Sequence, residues 1–253
     1  MINNKVEIIS VIMAVHNEEK YLPISLESLK KFREIKEIIV ILDRCTDSSE
    51  AIVKEKLPNA KIIKKEHCRW KNSYAENLQI GYKCSTGGII CIHDADIKCD
   101  DPEFFKILVR KLKGNVASVS PVIRTYKGAG FLNLLTYYWE KTRWMAPLGE
   151  KPRGGLRLIR RECLEKIGGF RDVLAPDTQL DVDLKRAGYA SILCKEVYAW
   201  HLRKITLRRA ISAQINAGRA RRELHQPLWL VLGHSVLRMR PFVLYGYLKG
   251  EKK

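Results

Sequence analysis

Two carboxylates one residue apart, Asp94 and Asp96, close the segment Ile89-Ile90-Cys91-Ile92-His93-Asp94-Ala95-Asp96. An apolar run that ends in such a pair sets hard oxygen ligands in a turn. One carboxylate binds Mg2+ or Mn2+, and the other orients the cation's water or a sugar hydroxyl. A cation held this way neutralises a diphosphate and stabilises its departure. The same residues suit a helix N-cap with a solvated neighbour, and the tripeptide alone leaves both readings open. Asp43, in Leu42-Asp43-Arg44-Cys45-Thr46-Asp47, follows a second apolar run. It has the chemistry to accept hydrogen bonds from a nucleobase or ribose, or else to cap the next helix with Thr46 and Asp47. Lys71, just before a helix carrying Asn77, is either a phosphate ligand or a solvated surface lysine.

These residues need elements to hold them. Short apolar runs at 7–15, 37–42, 60–64 and 89–93 read as strands. Helical patterns at 18–32, after Thr46 to about 56, and 73–84 alternate with them. That order predicts an α/β domain with a mostly parallel, Rossmann-like sheet flanked by helices. It puts His16-Asn17, Asp43 and Asp94 to Asp96 at the carboxyl ends of strands, the edge where open α/β sheets bind ligands. Further on, strands are expected at 116–124 and 156–160, and one or two within 190–201. Helices are expected at 131–143, 161–167 and 177–187. From about residue 206 the pattern is two basic amphipathic helices, the first interrupted or ended near Gly218 and the second following Pro227. The domain expectation is a catalytic unit at 1–205 and a basic helical extension at 206–253.

The chain has 253 residues, 46% of them hydrophobic, and a net charge of +18, which implies a partner rich in phosphate: nucleic acid, anionic lipid or a nucleotide. From residue 201 onward, twelve basic residues face only Glu223 and Glu251. The excess is therefore concentrated in the tail. Interleaved with Leu, Ile, Trp and Tyr, such helices suit an anionic membrane surface. Arg219, Arg221 and Arg222 are alternatively placed to clamp a diphosphate or lipid phosphate. The seven cysteines form no CxxC pair and read as reduced thiols. The amino terminus lacks the pattern of a signal peptide, and no apolar stretch reaches membrane-spanning length. The expected location is cytoplasmic, including the cytoplasmic face of the membrane.

Taken together, Ser10-Val11-Ile12-Met13-Ala14-Val15-His16-Asn17-Glu18-Glu19, the Asp43 segment, Ala75-Glu76-Asn77-Leu78-Gln79-Ile80-Gly81, Asp94-Ala95-Asp96, Gly154-Gly155-Leu156-Arg157-Leu158-Ile159-Arg160-Arg161 and Ile167-Gly168-Gly169-Phe170 resemble, in order and spacing, the motifs of the large inverting GT-A glycosyltransferase family 2. That family includes dolichol-phosphate mannosyltransferases and bacterial polysaccharide glycosyltransferases. The resemblance covers roughly the first 200 residues.

It implies a GT-A nucleotide-diphospho-sugar transferase fold and a role for each matching position. Ala14, Val15, His16, Asn17 and Glu18 would line the nucleoside pocket, Asp43 would read the base, and Lys71 would lie near the diphosphate. In the DxD motif Asp94 would contact ribose or water, Ala95 would lie against the nucleotide sugar, and Asp96 would ligate Mn2+ or Mg2+. His201 would complete the metal site. His16 and His93 would be pocket walls, and the Gly168-Gly169-Phe170 turn would shape the acceptor side. Where the family carries Glu-Asp at a helix start, this chain has Pro176-Asp177, which leaves Asp177 as the expected general base; Pro-Asp is also an ordinary helix entry. The implied partners are a nucleotide diphosphate sugar and a hydroxyl or polyprenyl-phosphate acceptor, with nucleic acid disfavoured for want of a binding module. A nucleotidyltransferase would need an early glycine-rich loop, and residues 14–18 contain no glycine. An inactive scaffold is the remaining rival.

Overall fold

The computed structural model describes residues 8–141, 152 and 154–249. The expected strand start at residue 7 and helix end at 142–143 lie outside them. Eight strands form one sheet in the order β3-β2-β1-β4-β7-β6-β8-β5. They are β1 (Ile9–Val15), β2 (Ile35–Asp43), β3 (Lys61–Lys65), β4 (Ile89–His93), β5 (Ile97–Lys98), β6 (Val116–Thr125), β7 (Leu156–Arg160) and β8 (Ala190–His201). β1 to β4 are mutually parallel, as is the β6 and β8 pair, whereas β7 runs antiparallel to β4 and β6.

Alternation along β1 explains why both faces are covered. Ile9, Val11, Met13 and Val15 point into one apolar cluster, and Ile12 points into the other. The first cluster is roofed by α1 (Leu22–Leu29) and α4 (Phe104–Lys111), and α2 (Ser49–Lys56) adds Val53. The second is roofed by α3 (Ser73–Cys84), α6 (Arg161–Lys166) and α7 (Pro176–Arg186) through Leu78, Leu164, Leu180 and Leu184. α4 was not foreseen in the sequence. Its Phe104, Phe105 and Leu108 are wholly buried, and Phe105 meets Phe32 edge-on at 4.8 Å. α5 (Phe131–Lys141) lies beside the end of β6.

The C-terminal part differs from expectation. Among the described residues it holds three helices rather than two: α8 (Leu207–Glu223), α9 (Leu228–Leu237) and α10 (Pro241–Leu248). α8 runs through Gly218 without a break, because there the glycine serves packing. A Cβ on Gly218 would lie 2.1 Å from the Val243 carbonyl oxygen, and one on Gly246 would lie 2.1 Å from that of Ile215. Two facing glycines thus let α8 and α10 meet backbone to backbone. The obstruction is main chain and cannot rotate away, so Gly218→Ala is expected to destabilise by about 1–3 kcal/mol. Gly233→Ala, in α9, would meet open space, and should stabilise by about 0.4–1 kcal/mol. Thermal denaturation of the two variants checks this opposition of sign.

Candidate active site

The adjacent strands β2, β1 and β4 end at the same edge of the sheet, so Asp43, Val15 and Asp94 arrive together. They line a cavity of about 440 Å³ with Ala14, His16, Glu18, Arg44, Ser73, Tyr74, Asn77, Ala95, Asp96, His201 and Arg203. Of the positions expected around a nucleotide, Ala14, Val15, His16, Glu18, Asp43, Asp94 and Ala95 are there. Asn17 and Lys71 are not among the lining residues. Asn17 has a positive φ of 54° and accepts a hydrogen bond from the Thr46 amide at 2.8 Å, which ties the β1 loop to the β2 loop. Lys71 has an exposed side chain, and its amide donates to Asp172 at 2.9 Å.

Asp43 sits at one end of the cavity. Burial opposes its ionisation, but hydrogen bonds from Arg44, Ser73 and Asn77 and the charge of Lys65 hold its carboxyl well below the usual carboxylate range. Asn77 Nδ2 donates at 3.0 Å, Arg44 Nε at 2.8 Å, and Ser73 Oγ also donates. Lys65 is buried and bridges Asp43 at 3.4 Å and Glu76 at 3.0 Å. Asp43 is therefore a fixed anion that accepts hydrogen bonds and does not cap α2. The N-cap of α2 is Ser48, without a side-chain cap, and just before it Asp47 Oδ1 accepts from the Ser49 amide at 3.0 Å. His16 Nδ1 donates to the Asp43 carbonyl at 2.6 Å.

Asp94 and Asp96 form the other end. Neither caps a helix, because the chain passes directly into β5. Desolvation in the cleft and the neighbouring charge of Asp96 push the Asp94 carboxyl up to about 6. Tyr74 donates its phenol to Asp94 Oδ1 at 3.0 Å. Asp96 is buried, and its Oδ2 lies 3.3 Å from His201 Nε2 and 2.5 Å from Arg203 Nε. The other arm of Arg203 reaches Glu18. Burial works against the guanidinium, but Asp96 and Glu18 overcome it and hold it protonated more firmly than in water. The Glu18 carboxyl is raised by burial, with Arg203 opposing. His93, expected as a wall, instead lies buried behind the cavity. Its Nδ1 donates to the Asp94 carbonyl at 2.9 Å, and burial lowers it to about 4, so it is neutral.

A second cavity of about 210 Å³ shares Asp94 and His201 with the first and is walled by Ile97, Ile123, Arg124, Thr125, Glu140, Gly154 and Gly155. Asp177 stands just behind this wall, where its Oδ2 accepts the Gly154 amide at 3.2 Å. Its charge is felt at Tyr74, whose phenol is raised by burial first, then by Asp94 and Asp177. Pro176 opens α7 and Asp177 occupies its first turn, the ordinary helix entry that the sequence also allowed, and the same turn holds the Asp177 carboxylate beside Gly154. Arg157, fully buried, fixes α7. It forks onto Asp181 at 2.9 and 3.2 Å and donates to the Asp177 carbonyl at 3.3 Å. The Gly169 and Phe170 turn is held from α3, where Gln79 Oε1 accepts the Phe170 amide at 2.9 Å.

Sequence reasoning missed Arg203, Arg44, Ser73, Tyr74 and Arg157 as site residues. Arg203 stood two residues after His201 but was counted with the basic tail. Conversely, none of Arg219, Arg221 and Arg222 lines either cavity. Arg221 donates to Gln226, and Arg222 to the carbonyls of Tyr247 and Leu248, so these two brace the C-terminal helices.

The donor set suits a divalent cation. Asp96 Oδ2 and His201 Nε2, at 3.3 Å, have about the separation of neighbouring ligands around an ion with bonds near 2.1 Å. Among the described residues no cluster of three or more His, Cys, Asp or Glu encloses such a site. A cation here would thus draw its remaining ligands from a diphosphate and water, as Mg2+ and Mn2+ commonly do.

Comparison with known proteins agrees with this geometry. The family model described as Glycosyl transferase family 2 matches residues 10–168. The probable glycosyltransferase YdaM of Bacillus subtilis (strain 168) is 28% identical over 201 residues, covering 72% of this chain and 47% of that protein. The chain thus spans about half the length of this curated relative. Among solved structures, the mannosyltransferase PcManGT from Pyrobaculum calidifontis, in complex with GDP-Man and Mn2+, superposes with a TM-score of 0.67 at 20% identity, over 95% of this chain and 70% of that one. The glucosyl-3-phosphoglycerate synthase from Mycobacterium tuberculosis, in complex with Mn2+, UDP and phosphoglyceric acid, gives 0.62 at 22%, over 83% and 76%. At such identities the likeness is one of fold, and that fold is the GT-A fold expected from the motifs.

The raised Asp94 carboxyl has a measurable consequence. The folded state favours its neutral form, so stability is full at low pH and is lost as pH rises from the ordinary 3.8 through about 6. Asp94→Asn keeps an oxygen for the Tyr74 phenol and removes the charge. In metal-free buffer it should melt above the wild type at pH 7 and beyond, with the gap closing below about pH 4. A gap independent of pH would refute the account.

Proposed function

The chain belongs to glycosyl transferase family 2, and on that premise we propose that it is an inverting, metal-dependent enzyme that moves a sugar from a nucleoside diphosphate to a hydroxyl or a polyprenyl phosphate. The observation that carries this reading is the convergence of Asp43, Asp94, Asp96 and His201 on one cavity at the carboxyl edge of the sheet. Asp43, acceptor-only and pinned on several sides, recognises an N–H of the base or a ribose hydroxyl. Asp96 and His201 hold Mn2+ or Mg2+, which when bound neutralises charge on the departing diphosphate. Asp94, held by Tyr74, orients the sugar or a cation-bound water.

The second cavity takes the acceptor. An acceptor hydroxyl attacks the anomeric carbon opposite the leaving diphosphate, and its proton passes to the Asp177 carboxylate as the new bond forms. Arg157 keeps Asp177 in place through Asp181 and the Asp177 carbonyl. A polyprenyl phosphate is already anionic and needs no base.

Thermal shift with UDP-, GDP- and other nucleotide sugars, with and without Mn2+, tests the donor side. A ligand at 100 times its Kd should stabilise by about 2.7 kcal/mol. Asp96→Ala should lose the Mn2+-dependent part of that shift. Asp177→Asn should keep the shift while turnover falls by about 10²–10⁴ for a hydroxyl acceptor. Near-normal turnover in Asp177→Asn would remove the base and favour a phosphate acceptor, and the lack of a shift with any donor would sink the reading.

The partner of the C-terminal helices is proposed to be an anionic membrane surface at the cytoplasmic face. No helix among the described residues is long and apolar enough to cross a membrane. α9, α10 and the turn between them nevertheless present large apolar side chains outward, with Trp229 71% and Val236 72% exposed on α9, Met239 71% in the turn and Leu248 60% on α10. The tail's cations supply the complementary charge. A Trp229→Ser, Val236→Ser double variant should bind phosphatidylserine vesicles at least about tenfold more weakly, a loss of ~1.4 kcal/mol. Equal sedimentation of variant and wild type with vesicles would reject the membrane assignment.

A further inference from the structure

The place where a cation would sit already has a cationic occupant. Arg203 Nε lies 2.5 Å from Asp96 Oδ2, the same oxygen that faces His201, and its Nη2 pairs with Glu18. The guanidinium therefore holds the most buried carboxylate of the cavity.

The backbone beneath it is fixed on both sides. The Leu202 amide donates to the Asp96 carbonyl at 2.8 Å. Asn133, buried on α5, donates to the Arg203 carbonyl at 3.0 Å and accepts the Ile205 amide at 2.8 Å. The Lys204 amide donates to the Tyr21 hydroxyl at 3.1 Å. The side chain itself is 32% exposed, and its guanidinium carbon lies 5.8 Å from the centre of the Tyr21 ring. Withdrawal from Asp96 thus needs only side-chain rotation, with no loop movement.

We propose that Arg203 is a tethered counter-ion of the metal seat: it neutralises Asp96 and Glu18 in the resting protein, gives way when a divalent cation and a diphosphate arrive together, and transfers its guanidinium from the carboxylates to diphosphate oxygens. The inference rests on the reading of this site as a metal–diphosphate centre. Two facts of chemistry favour it. A free divalent cation must displace an ion pair to reach Asp96, and recovers little in exchange. When the diphosphate comes too, the released planar guanidinium gains paired phosphate oxygens that it can bind bidentately. Cation and nucleotide then bind synergistically, and Arg203 is a positioning residue for the leaving group as well as a competitor of the cation.

The test is Mn2+ binding to the full chain, read from the EPR signal of free Mn2+, with and without UDP or GDP. Arg203→Ala should bind Mn2+ alone at least about tenfold more tightly than the wild type, the gain expected if the seat is open less than about a tenth of the time. The enhancement of Mn2+ binding by nucleoside diphosphate should shrink by a similar factor, and the diphosphate itself should bind more weakly. Arg203→Lys retains a charge for the buried carboxylates but reaches only one of them at a time, so it covers the case in which the alanine variant does not fold. Its Mn2+ affinity should fall between the other two. If both variants stay within about twofold of the wild type while Asp96→Ala abolishes binding, the counter-ion role is overturned and the metal centre stands. If the wild type binds no Mn2+ even with either nucleotide, the metal centre fails and the inference falls with it.

Discussion

Carboxylates gathered at one sheet edge must be compensated, and most of the site's construction answers that requirement. Two unit charges 4 Å apart repel by about 4 kcal/mol at an effective dielectric constant of 20, against total stabilities of roughly 5–15 kcal/mol for a whole domain. Glu18, Asp43, Asp94 and Asp96 share one cavity. Each is met differently. Asp43 has Arg44, Lys65 and two neutral donors; Asp96 and Glu18 share Arg203; Asp94 has a phenol and a raised affinity for its proton. Charge is thus met by cations at the two ends, and in the middle by a phenol and by a carboxyl that ionises less readily than usual. A site compensated in this way is ready to exchange an internal cation for an external one.

The compensating groups come from distant parts of the chain. Asp96 and Arg203 are 107 residues apart. They meet because β8 runs parallel to β6 and then pairs antiparallel with β5, directly after Asp96. Ile97 stands opposite His201 in that pairing, so the register that closes the sheet also delivers the imidazole to the carboxylate. Arg157 performs a similar task across the sheet. It leaves β7 among buried groups and satisfies its charge on α7, which fixes the helix start that carries Asp177. Breaking a buried pair of this kind by removing one partner costs about 3–5 kcal/mol, which makes these contacts structural as well as chemical.

The parallel half of the sheet was legible in the sequence because each of its strands is an apolar run ending in polar residues, and β4 coincides with the run at 89–93. That Asp94, Asp96, His201 and most of residues 14–18 gather at one place was expected from the ordered motifs and the resemblance they carry, and these residues do line one cavity. What escaped was mostly what depends on pairing across the chain. Arg203 looks like any other cation of a basic tail until β8 is laid beside β5. Tyr74 and Ser73 open a helix whose apolar face was the only visible signal. α4 did leave a trace in Phe104, Phe105 and Leu108, but a single buried turn and a half following Asp-Pro reads as loop when no strand partner is in view. Gly218 reads as a helix end in the sequence because its value lies in tertiary packing, a close approach between two helices of the chain, which no local propensity reveals.

The short segment after His201 gives these separate features a common dependency. Residues 202–206 contact Asp96 through Leu202, α1's entry through Tyr21 and α5 through Asn133 before α8 begins at Leu207. Thr206 caps α8, with its Oγ1 accepting the Arg209 amide at 3.4 Å. The helices that expose the apolar surface are therefore joined to the cluster of Asp96, His201 and Arg203 by five residues with fixed backbone. A second strut closes the loop, because Glu223 at the far end of α8 accepts the Leu174 amide at 2.8 Å, just ahead of α7. α8 is thereby tied at its start to the segment that presents Arg203 and at its end to the approach to Asp177, so the C-terminal helices and both sides of the site share one framework of hydrogen bonds.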